Sequence, residues 1–591
     1  MEYPGASGKN PAAADPKAAS TRGVTSWRVE EAEPVSRPSG IMTTVAWILR
    51  QMGVVSALDT LLPWDAKQCK LSPGTRLLAL ILCTLFDRTA LWRVHRVFAR
   101  QDLDVLFGQN VRAADFNDDA LGRALDKLAA ARPAHVFHSV AAKVWAHERV
   151  PFDTLHGDTA AAALFGAYTA PTPETLQIVH GYSKDHRPDL KQIGVGLVCN
   201  PQGIPLLGDV HDGNLNDNKW NSEVIACLRE VLPEETLRSI LYTADCKVVT
   251  PDNLRAMDEA GLHWLSRLPE TYEVAEQLKV EAWAGDEWDA PAPMSSRARA
   301  AHYRLHTFAD VTISKNPKHA LAGLRYRCVV VHSTALETHA RTRQQRLIAT
   351  ERQSIEDALA AKPTFATAAA ADQASTDLVN KLKLRYHNLR LLTQPVEVLG
   401  KHSRRGRPRK DAPPPPPATR FGWKAETEPP NSSLLTREIQ LRSCFVLITN
   451  DASRTAWELL AVYKRQQTAV EIPFHRTKAL PVAPMFLDRP ERVRAMGYIL
   501  LLSYVAFAVI QRRVRHELTA QGEQLPTFEN RRTATPTAEV VLEHLSDIHT
   551  EIAEENGAVV RVVKITPVAR RVLTLLGVPL DAFAASHANS P

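Results

Sequence analysis

The chain predicts a mixed α/β fold preceded by a helical segment. Three observations support this. Apolar residues recur at helical spacing between about 41 and 150; from about 151, alternating runs and helical runs follow one another; and a second helical stretch begins after 451 and contains the strongly apolar run Gly497–Ile510. Strands interleaved with helices describe a sheet with helices packed on its faces. The length of 591 residues fits roughly three to five domains.

Residues 1–40 are rich in Ala, Pro, Ser, Gly and Lys and nearly empty of large aliphatics. They bury too little to offset ordering entropy, so a disordered tail is predicted. Within 41–150, LSPGTRLLALILCTLF opens with a Ser72-Pro73 start signal and continues as an apolar helix. FNDDALGRALDKLAAARP places Leu121, Leu125 and Leu128 at helical spacing behind a cap at Asn117 or Asp118.

Between 151 and 270 the period changes. QIGVGLVC (192–199), the turn NPQG and IPLLGDV (204–210) read as a β-hairpin. KWNSEVIACLREVL (219–232) is a helix with Trp220, Val224, Leu228 and Val231 on one face. SILYTADC (239–246) and GLHWLSRLP (261–269) are further strands. Trp220 and Trp264 fall at apolar-periodic positions and are expected in the core.

The stretch 271–444 is less regular. YRLHTF, YRCVVVHS and SCFVLITN are strand-like, and 351–393 is Ala-rich and helical. KHSRRGRPRKDAPPPPPATR (401–420) reads as an exposed linker. Its Arg405-Gly406-Arg407-Pro408 matches the core of an AT-hook, an extended basic strip suited to a narrow A·T minor groove. After 451 the chain becomes helical; 521–537 reads as a loop, and short elements close the chain to 591.

The composition, 45% hydrophobic and 23% charged, excludes collagen-like, small disulfide-rich and wholly disordered classes. Seven cysteines without a CxxC pair predict reduced thiols and no zinc framework. The first twenty residues lack the apolar run of a signal peptide, and Gly497–Ile510 is shorter than a bilayer span, so neither secretion nor membrane insertion is predicted. The net charge of +7 is concentrated in residues 461–520, which hold ten Lys and Arg against four acids; this predicts a phosphate-binding groove. The sequence has no GxxxxGK[ST] loop, no HExxH pair and no GxSxG turn.

Acids at element ends remain as candidates for chemistry. Asp158 lies in FDTLHGDTAAAALFGAY, Asp245 ends an alternating run, and Glu471 falls in a helical one. Carboxylate oxygens suit magnesium, and two such ions about 4 Å apart serve phosphodiester chemistry. Asp153 competes with Asp158 for the first position.

Several segments, in order, resemble a known family. HGYSKDHRPDLKQIGVGL (180–197) with GIPL and DGN (212–214), YTADCKVVTPDNL, CFVLITND, YKRQQTAVEIPFHRTK and FLDRPERVRAMGYILLLSYVAFAVIQRRVR are similar to DDE transposases of bacterial insertion sequences, more narrowly the IS-four superfamily. NDDALGRALDKL resembles that family's N-terminal helical segment, and the likeness spans about 45–270 and 440–580.

The resemblance implies a ribonuclease-H-like mixed sheet at 151–270 and 445–520, a β-rich insertion domain at 271–444, a helical DNA-binding domain at 41–150 and a C-terminal region at 521–591. It implies Asp158, Asp245 and Glu471 as metal-binding catalytic acids, two Mg2+ or Mn2+ ions, DNA ends and target DNA as partners, and a homodimer in the synaptic complex. The location implied is the bacterial cytoplasm, at the nucleoid.

The family's helix signature is Tyr, two residues, Arg, three residues, Glu, six residues, Lys. Lys478 fits it; Gln467 stands at the Arg position, and Tyr463 comes one residue early with Lys464 in its place. With Arg405 and Arg407, these are the candidate DNA contacts. His180, Tyr182, Lys184, Asp185, His186, Arg187 and Lys191 form a further polar cluster before the second strand. The alternatives are a nuclease of the same core without strand transfer and a DNA-binding derivative that no longer cuts.

Overall fold

The computed structural model describes residues 35–86, 89–169, 172–182, 187–285, 287–295, 300–314, 316, 321–399, 416–471, 487–529, 531–555 and 558–584. Strand β1 (Val35–Pro38) opens the described chain. It is followed by a set of helices, the longest of them Gly40–Gln51, Pro73–Phe86, Asp118–Ala130 and Pro133–Glu148. Asn117 is the cap chosen at the third: its side chain accepts from the Ala120 N–H at 2.9 Å.

A large mixed sheet follows. Its first five strands are β2 (Thr154–Leu164), β3 (Lys191–Cys199), β4 (Pro205–Asp212), β5 (Leu241–Ala244) and β6 (His263–Arg267). Next come β7 (Ala292–Pro293), β8 (His302–Thr312) and β9 (Arg325–Ser333). A separate hairpin, β10 (Asn388–Val398) and β11 (Ala418–Glu428), precedes β12 (Cys444–Thr449). The nine sheet strands lie in the order β4-β3-β2-β5-β6-β12-β9-β8-β7. β3 runs antiparallel to β2 and β4, β5 is parallel to β2, and β6 is parallel to β5. β12 is antiparallel to both β6 and β9.

Helices cover both faces. Those joining β4 to β5 and β5 to β6, Asp217–Val231 and Pro251–Glu259, start at the caps Asn216 and Thr250. They lie on the face where the Trp220 ring occupies the space a Cβ at Gly196 would need. The helix Ala456–Gln466, opened by a Thr455/Glu458 capping box, buries Leu459 and Leu460 on the opposite face against Leu241, Leu265, Phe445 and Leu447. The same face meets the long helix Pro490–Gln521, where Leu501 and Phe137 close over Gly208. That helix is long and apolar enough to cross a membrane, yet most of its apolar window is buried inside the chain. It is the shared partner of the N-terminal helices and of the C-terminal helices Ala538–Ser546 and Pro567–Leu576.

Several expectations change in detail. The tail read over 1–40 ends in structure, because Val35–Pro38 finds ladder partners in the strand His549–Glu555. The middle region adds β7, β8 and β9 to the main sheet, since β12 offers β9 a free edge. The helical reading of 351–393 stops at Leu382, and β10 begins at Asn388. The end of the 401–420 linker is strand, Ala418 pairing with Val398. Short strands β13 (Leu525–Pro526) and β14 (Arg532–Thr533) interrupt the 521–537 loop, and β15 (His549–Glu555) with β16 (Ala558–Lys564) completes a small sheet with β1.

Candidate active site

Asp158 and Asp245 are neighbours across two parallel strands. β2 and β5 are in register, Gly157 opposite Ala244, and each acid is the next residue along. Adjacent strands are about 4.8 Å apart, and residues at the same level point to the same face. His156, Asp158, Thr243 and Asp245 therefore share a face, the one covered by Ala456–Gln466. Asp245 keeps an extended backbone beyond the last pair, and its side chain accepts from the Lys247 N–H at 3.0 Å, capping a short 3-10 turn. The Ser266 hydroxyl on β6 donates to the carbonyls of Ala244 and Asp245 at 3.1 and 2.9 Å and fixes the end of β5. The Asp158 carboxylate accepts from the Thr159 N–H at 2.7 Å. Both acids are partly exposed. Asp153, the competitor, accepts from the Thr154 N–H before β2 begins.

The opposite face explains a small residue beside the first acid. A Cβ on Gly157 would run into the Tyr242 hydroxyl. Tyr242 is fully buried and donates to Asn221 at 3.0 Å; burial, then the charges of Asp245 and Asp158, push its phenol well above the ordinary value.

The segment of the third acid crosses the same face as the first two. After Gln466 the helix widens into a π-helical turn, Gln467–Glu471, which packs on β2 and β3. Gln466 is 7% exposed and His156 is fully buried. The Gln466 amide donates to the Gly157 carbonyl at 2.8 Å, and its oxygen lies 2.9 Å from His156 Nδ1, which must therefore be the donor. Burial first, and then the charge of Arg465, lower the His156 imidazole to about 4 against the opposing Gln466 hydrogen bond.

The remaining predicted contacts are scattered. Tyr463 packs against Phe445, ring centroids 5.8 Å apart. The Lys464 ammonium lies over the rings of Tyr303 and Phe445, 5.1 and 5.4 Å from their centroids, on strands at least three places from β2. Gln467 is exposed on the π-helical turn. Lys478, Arg405 and Arg407 lie outside the described residues, as does the side chain of Glu471.

Four arginines of the basic excess over 461–520 are engaged within the chain. Arg492 pairs with Asp126 at 2.7 Å, Arg512 and Arg513 share Glu148, and Arg515 donates to the Pro536 carbonyl. These arginines sit on a helix enclosed by the chain, where a desolvated charge needs a partner. In the polar cluster before β3, Arg187 pairs with exposed Asp189, and Lys191 donates to the Tyr168 carbonyl.

A cleft of about 520 Å³ opens beside Asp245 and runs past Lys247 to Thr159, Asn216 and Asp217, with His211 and Gln192 along its wall. The Thr159 hydroxyl donates to Asp217 at 2.7 Å. Sequence reasoning missed these residues. The signal available was the DGN turn at 212–214, which delivers the chain to the Asn216 cap.

Two comparisons with known proteins give a match. Residues 39–142 match the family described as Domain of unknown function (DUF4277), which covers the N-terminal helices and ends before Asp158. No curated protein matches. The chain is similar to the solved structure of a piggyBac transposase synaptic complex with hairpin DNA: 10% identity over 86% of this chain and 77% of that one, with a TM-score of 0.33.

Among the described residues, no three His, Cys, Asp or Glu side chains form a metal-binding group. The pair Asp158 and Asp245 does fit a hard divalent cation. Both are oxygen donors, both are partly exposed, and they start one strand spacing apart on one face.

Proposed function

We propose that this chain is a DDE transposase of the IS-four type, built on a ribonuclease-H-like core, which cleaves the ends of an insertion sequence and joins them to target DNA. The observation that carries the reading is the register of β2 and β5, which sets Asp158 beside Asp245. Two features support it further. The strand order β4-β3-β2-β5-β6, antiparallel and then parallel, puts the two acids on adjacent strands of a mixed sheet. The segment ending at Glu471 crosses the same face as the two acids.

Asp158 and Asp245, with Glu471, would hold Mg2+ or Mn2+. Bound there, the ions supply water activation and charge stabilisation for phosphodiester chemistry. The protein's own part is positional. Ser266 holds the carbonyls at the end of β5, and the Lys247 N–H orients one Asp245 oxygen. Tyr242 and Gly157 keep β2 and β5 packed against the helix beneath. Hydrolysis at the element end frees a 3′-hydroxyl, which then attacks target DNA. The N-terminal helices bind the inverted repeats, and a homodimer pairs two ends.

The test is cleavage of end-bearing DNA in Mg2+ or Mn2+ by Asp158→Ala, Asp245→Ala and Glu471→Ala. Each is expected to lose at least a thousandfold in rate while still binding DNA. Undiminished cleavage by any one removes that residue from the site. A joining assay on plasmid DNA separates transposition from simple nuclease action.

A further inference from the structure

The proposed chemistry requires the third acid to arrive at a fixed height beside the first, and the two sit on segments more than three hundred residues apart in the chain. The Gln466 side chain joins those segments. We infer that Gln466 is a positioning residue that sets where the Glu471 segment meets the Asp158 strand. This inference rests on the functional reading above.

Three features of the contact support it. First, it grips β2 at the two residues immediately before Asp158, taking a donor from His156 and giving one to the Gly157 carbonyl. A carboxamide offers both functions at one end, so it fixes rotation as well as distance. Second, the contact is enclosed. His156 Nε2 has no hydrogen-bond partner among the described residues, so Gln466 is the bond His156 makes there. Breaking the contact strands buried polar groups on both sides. Third, the helix widens at the very next residue. A π-helical turn spends an extra residue per hydrogen-bonded loop, so the direction in which everything beyond it leaves depends on where the widening starts. A tether on the last α-helical residue fixes that start. Gln467, its neighbour, is exposed and has no such reach.

The test uses the full-length protein and Mn2+ alone, with free Mn2+ read by electron paramagnetic resonance. Gln466→Met keeps the length and volume but removes both hydrogen bonds. Its Mn2+ affinity is expected to fall at least tenfold, with DNA affinity unchanged. In the cleavage assay its apparent Mn2+ constant rises by the same factor.

If that variant does not fold, the pair His156→Asn and His156→Leu decides. Asn keeps a donor near the position of Nδ1 and is expected to stay within about twofold of wild type, whereas Leu should match the Gln466→Met loss. Wild-type Mn2+ affinity in Gln466→Met, or equal behaviour of the two His156 variants, overturns the inference. If wild type itself binds no Mn2+ through Asp158, the functional reading fails instead.

Discussion

The two halves of the nine-stranded sheet are built from different residues. In the β9–β12 half, Cys328–Val331 and Cys444–Ile448 are uninterrupted buried apolar runs. In the β2–β5 half, buried His156, Thr159 and Thr243 stand among Gly157 and Ala160–Ala163. The first half is held by side-chain volume. In the second, specific hydrogen bonds add to apolar packing by residues such as Leu155, Leu197 and Leu207, and small residues leave space for a tyrosine on one face and two carboxylates on the other. A sheet can therefore assign stability to one end and chemistry to the other.

Mutations that disturb each half in its own terms sharpen this contrast. The largest effect is expected from Leu447→Ala, in the fully buried apolar cluster under Ala456–Gln466. It should cost about 3–4 kcal/mol, read by urea unfolding, and should leave the Mn2+ affinity of the folded fraction intact. A matching loss of affinity would show that the halves are not separable.

Next comes pH. The folded His156 value of about 4 lies below its ordinary 6.5, so between those limits the unfolded chain binds the extra proton. The stability from keeping His156 neutral is thus fully present above about pH 6.5 and lost as pH falls toward 4, by roughly 3 kcal/mol. The difference between wild type and His156→Asn in urea unfolding at pH 7 and pH 4.5 measures it. An unchanged difference at the two pH values would break the claim.

Gly157→Ala ranks third. Its methyl group meets the Tyr242 hydroxyl, and such overpacking costs about 2 kcal/mol. Because the displaced strand carries Asp158, cleavage should fall further than stability accounts for. Lys464→Ala should be smallest. Its side chain is exposed, and such cation–π contacts contribute about 0.5–1 kcal/mol. A large fall in DNA affinity with a weaker salt dependence would instead return Lys464 to the DNA contacts.

Much of the sheet was legible in the sequence. The alternation of QIGVGLVC and SILYTADC, and the cap expected at Asn117 or Asp118, are local signals that the fold obeys. Trp220 and Trp264, expected in the core from their periodicity, are buried there. Other features follow only from tertiary pairing. Nothing in YRCVVVHS says that β9 will extend the main sheet through β12 rather than start a second one. Nothing local distinguishes the buried Gln466 from the exposed Gln467. The arginines of 489–515 read as a basic surface because sequence does not show that Asp126 and Glu148 await several of them. Asp158 and Asp245, 87 residues apart, are joined by no spacing rule; the resemblance nominated them, and the parallel register of β2 and β5 places them side by side. His156 shares the parity of Asp158 on its strand, a signal that gains meaning only once the strand is known.

The most direct test of the central claim, that Asp158 and Asp245 form one cation site, is a Mn2+ titration of wild type, Asp158→Asn and Asp245→Asn under identical conditions. The account predicts one and the same tight Mn2+ class, present in wild type and lost in both variants, with folding intact. Retention of that class in either variant would contradict it.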